Sequence, residues 1–252
     1  MTVVLETINL RKSFGGITAT DNVSFKLEAG ARHALIGPNG AGKTTFVNQL
    51  SGVLRPTSGT ILLNGQDITN WSVRRRARSG LARTFQINQL FADLTPLQTI
   101  LLSIAERENH GAEWFRPAGS RGDYVDEAVD LLSGLGLGGV IGQRVGSLPY
   151  GRQRLLEIAI AVAAKPSVLL LDEPAAGVPE SERDQILDVV FGLSAEVALV
   201  LIEHDMDLVF RFAKSISVLV NGALFVEGTP AEIANDPRVR QVYLGEEELL
   251  HV

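Results

Sequence analysis

Residues 37–44 read Gly-Pro-Asn-Gly-Ala-Gly-Lys-Thr, a spacing that fixes Gly37, Gly42, Lys43 and a hydroxyl at Thr44. At average composition the pattern arises by accident in roughly one chain in a hundred of this length. Its flanks narrow the reading further. Arg32-His33-Ala34-Leu35-Ile36 has the apolar texture of a buried strand, and Thr45–Leu50 has that of a helix. In a strand–loop–helix context the glycines let backbone N–H groups of residues 39–44 converge on an anion, with the positive end of the helix behind them. The loop therefore runs Gly37, Pro38, Asn39, Gly40, Ala41, Gly42. Lys43 adds a point charge, Thr44 offers a hydroxyl to Mg²⁺, and Thr45 is placed to reach the α-phosphate.

A second motif, Leu169-Leu170-Leu171-Asp172-Glu173-Pro174, follows far downstream. An Asp-Glu pair closing an apolar run is ordinarily solvated turn chemistry. Beside a phosphate loop it gains another meaning. Open α/β sheets place ligands at the carboxyl ends of their strands, where Asp172 can hold Mg²⁺ through water and Glu173 can take a proton from an attacking water.

The 252 residues suffice for one large domain or two closely joined ones. Lys plus Arg total 23 against 29 Asp plus Glu, a net charge of −6, so no global basic field draws the chain to nucleic acid. Cysteine is absent, which excludes disulfide staples and cysteine-based metal sites. The first residues lack the basic-then-apolar layout of a signal peptide. No run reaches the length of a membrane span; Ile158–Ala164 is apolar but lies between Glu157 and Lys165. Any membrane role is therefore expected to come through a partner.

Alternation at Val3, Leu5, Thr7 and at Val23, Phe25, Leu27 predicts early strands, and Asn64-Gly65 predicts a hairpin turn after Ile61-Leu62-Leu63. Thr95-Pro96 predicts the cap and first residue of a helix to about Glu108. Further helices are expected over Tyr124–Leu132, Arg152–Ala164 and Glu180–Ser194. Continuous apolar runs at Val168–Leu171 and Val197–Ile202 read as parallel strands covered on both faces, and Asn221-Gly222 as a late hairpin turn. Arg74-Arg75-Arg76-Ala77-Arg78 reads as a solvated helix face. Trp71 and Trp114 read as packing residues.

With these motifs stand Gln86, then Leu148-Pro149-Tyr150-Gly151-Arg152-Gln153, then His204 after an apolar strand. In order and spacing the set resembles the ATP-binding subunits of ABC transporters over essentially the whole chain. Asp172-Glu173-Pro174-Ala175-Ala176-Gly177, Leu155-Leu156-Glu157-Ile158-Ala159 and the tail from Gly228 resemble the branched-chain amino acid importers most. The resemblance implies an α/β fold: a P-loop NTPase (RecA-like) core with an antiparallel β subdomain and a helical insertion. It implies a single ABC-type ATPase domain over 1–252, with a nucleotide core at 1–86 and 161–252 and a helical subdomain at 87–160. It further implies ATP and Mg²⁺, adenine stacking at Phe14, a catalytic base at Glu173, γ-phosphate contact at His204, and a metal or lytic-water contact at Gln86. The metal set is then Thr44, Gln86 and Asp172. Phe14 also has a plain reading as a core residue beside Val23.

Two departures from the family pattern stand out. Pro149 replaces a serine whose hydroxyl would reach ATP bound to the opposite subunit. That half-site, Pro149 to Gln153, is left with the Gly151 backbone and the start of the following helix. Val178-Pro179-Glu180 likewise departs from the pattern after Gly177. Both favour a heterodimer with a second ATP-binding subunit. The remaining expectations are two integral membrane permease subunits, indirectly a solute-binding protein, no nucleic acid, and a peripheral place on the cytoplasmic face of the inner (plasma) membrane. The rivals are a soluble ABC-type ATPase remodelling a nucleic-acid or protein complex, and a nucleotide-binding regulator without turnover. The sequence has no sustained heptads and no second Gly-Lys-Thr loop to favour the first.

Overall fold

A computed structural model describes residues 2–84, 90–108 and 122–249, with side chains to Tyr243. In chain order its strands are β1 Val3–Phe14, β2 Ile17–Glu28, β3 Arg32–Ile36, β4 Ser58–Leu63, β5 Gln66–Asp67, β6 Leu81–Arg83, β7 Val168–Asp172, β8 Ala198–Ile202, β9 Ser215–Val220 and β10 Ala223–Gly228. The helices are α1 Lys43–Ser51, α2 Val73–Arg78, α3 Pro96–Arg107, α4 Gly122–Gly134, α5 Tyr150–Ala163, α6 Glu180–Phe191, α7 Met206–Phe212, α8 Pro230–Asn235 and α9 Pro237–Leu249. The chain divides into two compact units. The first takes residues 1–76, 167–173 and 194–252; the second takes 77–166 and 174–193.

The first unit holds an antiparallel sheet ordered β2-β1-β4-β5, and strands of a second sheet in the order β10-β9-β3-β8-β7. Strand β3 runs parallel to β8 and β9, and β7 runs parallel to β8. The register aligns their ends. Leu35 of β3 and Asp172 of β7 both pair with Ile202 of β8, so three strands release the chain at one carboxyl edge. Every residue of β7 and β8 is buried, which is why these runs show no polar alternation. The predicted hairpin at Asn221-Gly222 forms between β9 and β10, with φ of 50° and 80° at the two turn residues. Those are the positive values a two-residue turn needs.

The second unit is mainly helical, and α3 starts as its sequence predicts. Thr95 accepts from the Gln98 N–H while the Gln98 side chain accepts from the Thr95 N–H, a reciprocal capping box ahead of Pro96. Three segments are tied together by one arginine. Arg107 donates from Nη1 to Glu127 Oε1 (2.7 Å) and the Ala163 carbonyl (2.7 Å), and from Nη2 to Glu127 Oε2 (2.9 Å). These bonds from Arg107 hold the Glu127 carboxyl down at about 2. Among the described residues, no helix is long and apolar enough to cross a membrane.

Candidate functional site

Leaving the carboxyl edge of β3, the chain passes through residues 37–42 into α1. Gly42 is the N-cap of α1 at φ 97°, and no side chain caps that helix start. A Cβ on Gly42 would lie 2.3 Å from the Ala19 carbonyl oxygen, and one on Gly37 would lie 2.2 Å from that of Leu219. Glycine is required at both because neighbouring backbone closes on the loop. The late hairpin completes that enclosure: Gly222 N–H donates to the Ala41 carbonyl (2.9 Å), and Asp21 N–H donates to the Gly222 carbonyl (2.7 Å). Lys43 Nζ donates to the carbonyls of Gly37 (2.5 Å) and Pro38 (2.9 Å), which holds its ammonium over the loop. Phe46, Val47 and Leu50 anchor α1 beneath, fully buried, each contributing about 1.5–3 kcal/mol.

Asp172, the last residue of β7, is 6% exposed. Glu173 follows in the left-handed region at φ 44°, its N–H donating to the Ile202 carbonyl (3.0 Å). A non-glycine residue in that region costs of order 1–3 kcal/mol and gathers at functional positions. His204, two residues beyond β8, places Nδ1 3.3 Å from Glu173 Oε1, with the ring 72% exposed. So α1's first turn, Asp172, Glu173 and His204 all stand at or beyond the carboxyl ends of strands that share one edge.

Sequence reasoning overlooked Glu203. It is 4% exposed, accepts from the His204 N–H (3.2 Å), and lies 3.8 Å from His204 Nδ1. Burial pushes its carboxyl up, and the neighbouring Glu173 adds to the push. A lone glutamate directly after the apolar run Ala198–Ile202 is the available signal.

Phe14 is 50% exposed, so its reading as a core residue is corrected: the end of β1 carries the ring outward, and Lys12 Nζ stands 5.1 Å from its centroid. Gln86 and Trp114 lie outside the described residues. Trp71 packs under the Arg75 guanidinium, 3.8 Å from the ring centroid. The arginine run also needs correction, because Arg76 is buried at 1% exposure while Arg74 and Arg75 face solvent.

In the second unit, α5 begins at Tyr150, two residues ahead of the expected Arg152. Pro149 is its N-cap and supplies no side-chain cap. Instead the Gly151 N–H donates to Glu182 Oε2 of α6 (3.0 Å), so a carboxylate from elsewhere in the chain meets the helix start. The Tyr150 hydroxyl donates to the Ala176 carbonyl (3.5 Å), and Gln153 Nε2 donates to that of Leu148 (2.9 Å). Arg152, the remaining member of this segment, lies on the first turn of α5.

The sequence profile described as ABC transporter matches residues 20–176. The chain belongs to the ABC transporter family. It is thus an ATPase cassette with an ATP site, built for a transporter. A second profile, Branched-chain amino acid ATP-binding cassette transporter, matches residues 224–248. The chain is 38% identical over 250 residues to the high-affinity branched-chain amino acid transport ATP-binding protein BraF of Pseudomonas aeruginosa, covering 96% of this chain and 98% of that protein. It is 37% identical over 252 residues to LivG of Escherichia coli strain K12, a high-affinity branched-chain amino acid transport ATP-binding protein, with the same coverage. Among solved structures, the ADP conformation of MJ1267, an ATP-binding cassette of an ABC transporter, aligns with a TM-score of 0.84 and 30% identity. That match covers 97% of this chain and 100% of the other. The α/β P-loop fold expected of the ABC cassette is therefore established.

Proposed function

We propose that this ABC cassette hydrolyses ATP to drive import of branched-chain amino acids. The observation that carries the hydrolytic reading is the pairing of Glu173 and His204 at 3.3 Å on the strand edge that also feeds Lys43 and Thr44. The names of the relatives, BraF and LivG, support the cargo class.

In this reading the residues 37–45 loop binds the triphosphate, with backbone N–H groups and the Lys43 ammonium neutralising its charge. Phe14, projecting at the end of β1, stacks on adenine. Glu173 accepts the proton of the attacking water. His204 holds the γ-phosphate and keeps the Glu173 carboxylate aimed. Gln86 contributes a metal or water contact. The Thr44 hydroxyl and the Asp172 carboxylate are the hard oxygen donors that suit Mg²⁺ and would hold it; when bound it offsets the charge of the β- and γ-phosphates. Positioning and charge neutralisation supply most of the rate in phosphoryl transfer, so loss of Glu173 or His204 is felt mainly in turnover, and loss of Lys43 in nucleotide binding as well.

Residues Pro149–Gln153 form the half-site for ATP held by an opposite subunit. Pro149 has neither hydroxyl nor N–H, and the Gly151 amide already donates to Glu182, so this half-site has little left to offer a phosphate, which favours a heterodimer with a second ATP-binding subunit. Two membrane permease subunits complete the transporter, fed by a solute-binding protein, and the cassette sits at the cytoplasmic face of the inner membrane. Uptake of radiolabelled leucine by cells lacking this chain tests the proposal. Complementation by the wild type should restore uptake, and complementation by Glu173→Gln should not. Equal uptake with and without the chain would reject the cargo and the coupling together.

A further inference from the structure

The buried member of the arginine run has no part in the nucleotide site itself. Arg76 extends its guanidinium to backbone carbonyls: Nη1 donates to Gln49 (2.7 Å) and Leu50 (2.6 Å), Nη2 to Thr69 (2.9 Å), and Nε to Trp71 (3.3 Å). Burying a cation without a hydrogen-bonded carboxylate costs several kcal/mol. Desolvation lowers its pKa to about 10, which leaves it charged at neutral pH. The place explains the expense. Gln49 and Leu50 belong to the last turn of α1, where carbonyls lack the usual bond from four residues on and the helix dipole is negative; the Gln49 carbonyl also accepts from the C-cap Gly52 N–H (3.2 Å). The clamp is also tight: a Cβ on Gly52, the C-cap, would stand 2.9 Å from Arg76 Nε.

The other end of α1 carries Lys43 and Thr44. The helix has only nine residues, about 13 Å at the usual rise, and its buried face is Phe46, Val47 and Leu50. Such a short rod moves as one piece, so a shift at its last turn reaches its first.

We propose that Arg76 is a positioning residue for the nucleotide: by locking the last turn of α1 to the backbone of Thr69 and Trp71, it sets where Lys43 and Thr44 stand. The inference rests on the phosphate-binding role given to residues 37–45. It is tested by ATP affinity, titrated with a fluorescent ATP analogue and Mg²⁺ on the full chain carrying Glu173→Gln. Each variant is measured well below its own melting transition. Arg76→Met is expected to weaken binding about 10-fold, the scale of a misplaced contact group. Arg76→Lys is expected to weaken it about 3-fold, since an ammonium keeps the charge but lacks the planar fork that spans two neighbouring carbonyls. Lower melting temperatures with unchanged affinity in these variants would make Arg76 purely structural and overturn the proposal. If Arg76→Met fails to fold, Arg76→Lys decides alone by the same criterion. Lys43→Ala, titrated in parallel, separates the two readings. Binding lost there but intact in the Arg76 variants rejects only the positioning role; binding intact in Lys43→Ala rejects the nucleotide site itself.

Discussion

Helices α1 and α5 both begin without a side-chain cap, yet they meet the demand for negative charge in opposite ways. The start of α5 takes a carboxylate from within its own unit, Glu182 on the Gly151 N–H. The start of α1 has no acidic residue in its first turn and folds an ammonium over the loop instead. An uncapped helix start attracts an anion in either case. What differs is whether the fold supplies that anion or the substrate does. On the proposed function, the anion that α1 receives is the nucleotide's phosphate chain. In α5 any incoming phosphate meets a group already on the amide.

The largest effect expected is at α1. Lys43→Ala should reduce ATP turnover by at least about 100-fold and weaken nucleotide binding, whereas Glu173→Gln should abolish turnover to a similar degree with binding retained. Steady-state hydrolysis paired with nucleotide titration checks both. Equal loss of affinity in the two variants would break this division of labour between Lys43 and Glu173.

Gly42→Ala places a side chain at φ 97° against the Ala19 carbonyl, and ATP affinity should fall about 10-fold or more with some loss of stability. If the variant binds as the wild type does, the loop is not held in shape by the backbone of Ala19.

Acid unfolding sharpens the contrast between the strand that feeds α1 and the helical unit. His33 on β3 is buried, and Ser217 Oγ donates to Glu227 Oε2 (2.6 Å). The Ser217 oxygen therefore accepts from His33 Nε2 (2.9 Å), and while the ring is neutral Nδ1 accepts from the Ser215 hydroxyl (2.7 Å). Burial lowers its pKa from 6.5 to about 4. The unfolded chain binds the extra proton between those values, so this contribution is complete above pH 6.5 and lost as pH falls toward 4. The expected loss is roughly 2–3 kcal/mol. Glu127, at about 2 rather than 4.5, acts in a lower window: its contribution is present above pH 4.5 and lost as pH falls toward 2. Denaturant titrations of wild type, His33→Gln and Glu127→Gln across about pH 7 to 3 should separate the two limbs. Coincident acid profiles would refute the assignment.

The smallest effect belongs to α5. Glu182→Ala should cost about 1 kcal/mol of stability, and Glu182→Gln less, since the amide keeps an acceptor but loses the charge. Identical melting curves for wild type and Glu182→Ala would mean that the carboxylate does nothing for the start of that helix.

Much of this was legible in the residues, and the exceptions have a common cause. Thr95-Pro96-Leu97-Gln98 states its cap locally, and the Asn-Gly turns and apolar runs of β7 and β8 state theirs. The loop at residues 37–44 and the Asp172-Glu173 pair are also contiguous words. Arg76, Glu182 and Glu203 take their meaning from partners that local pattern does not supply: carbonyls of a helix 26 and 27 positions earlier, an amide 31 positions earlier, and an enclosed strand end. A run of arginines looks solvated until the helix end it covers is known. Likewise α5 starts early because Pro149, unable to donate, fits the position just before a helix.

The Asn221-Gly222 turn has a bearing on how this cassette can be shortened. Because its glycine amide holds Ala41 and its glycine carbonyl holds Asp21, a fragment stopping before residue 215 would keep residues 37–45, Asp172, Glu173 and His204 and still lose the backbone bonds that enclose residues 37–42. Catalytic competence here is therefore expected to arrive only once the β9–β10 hairpin has been made.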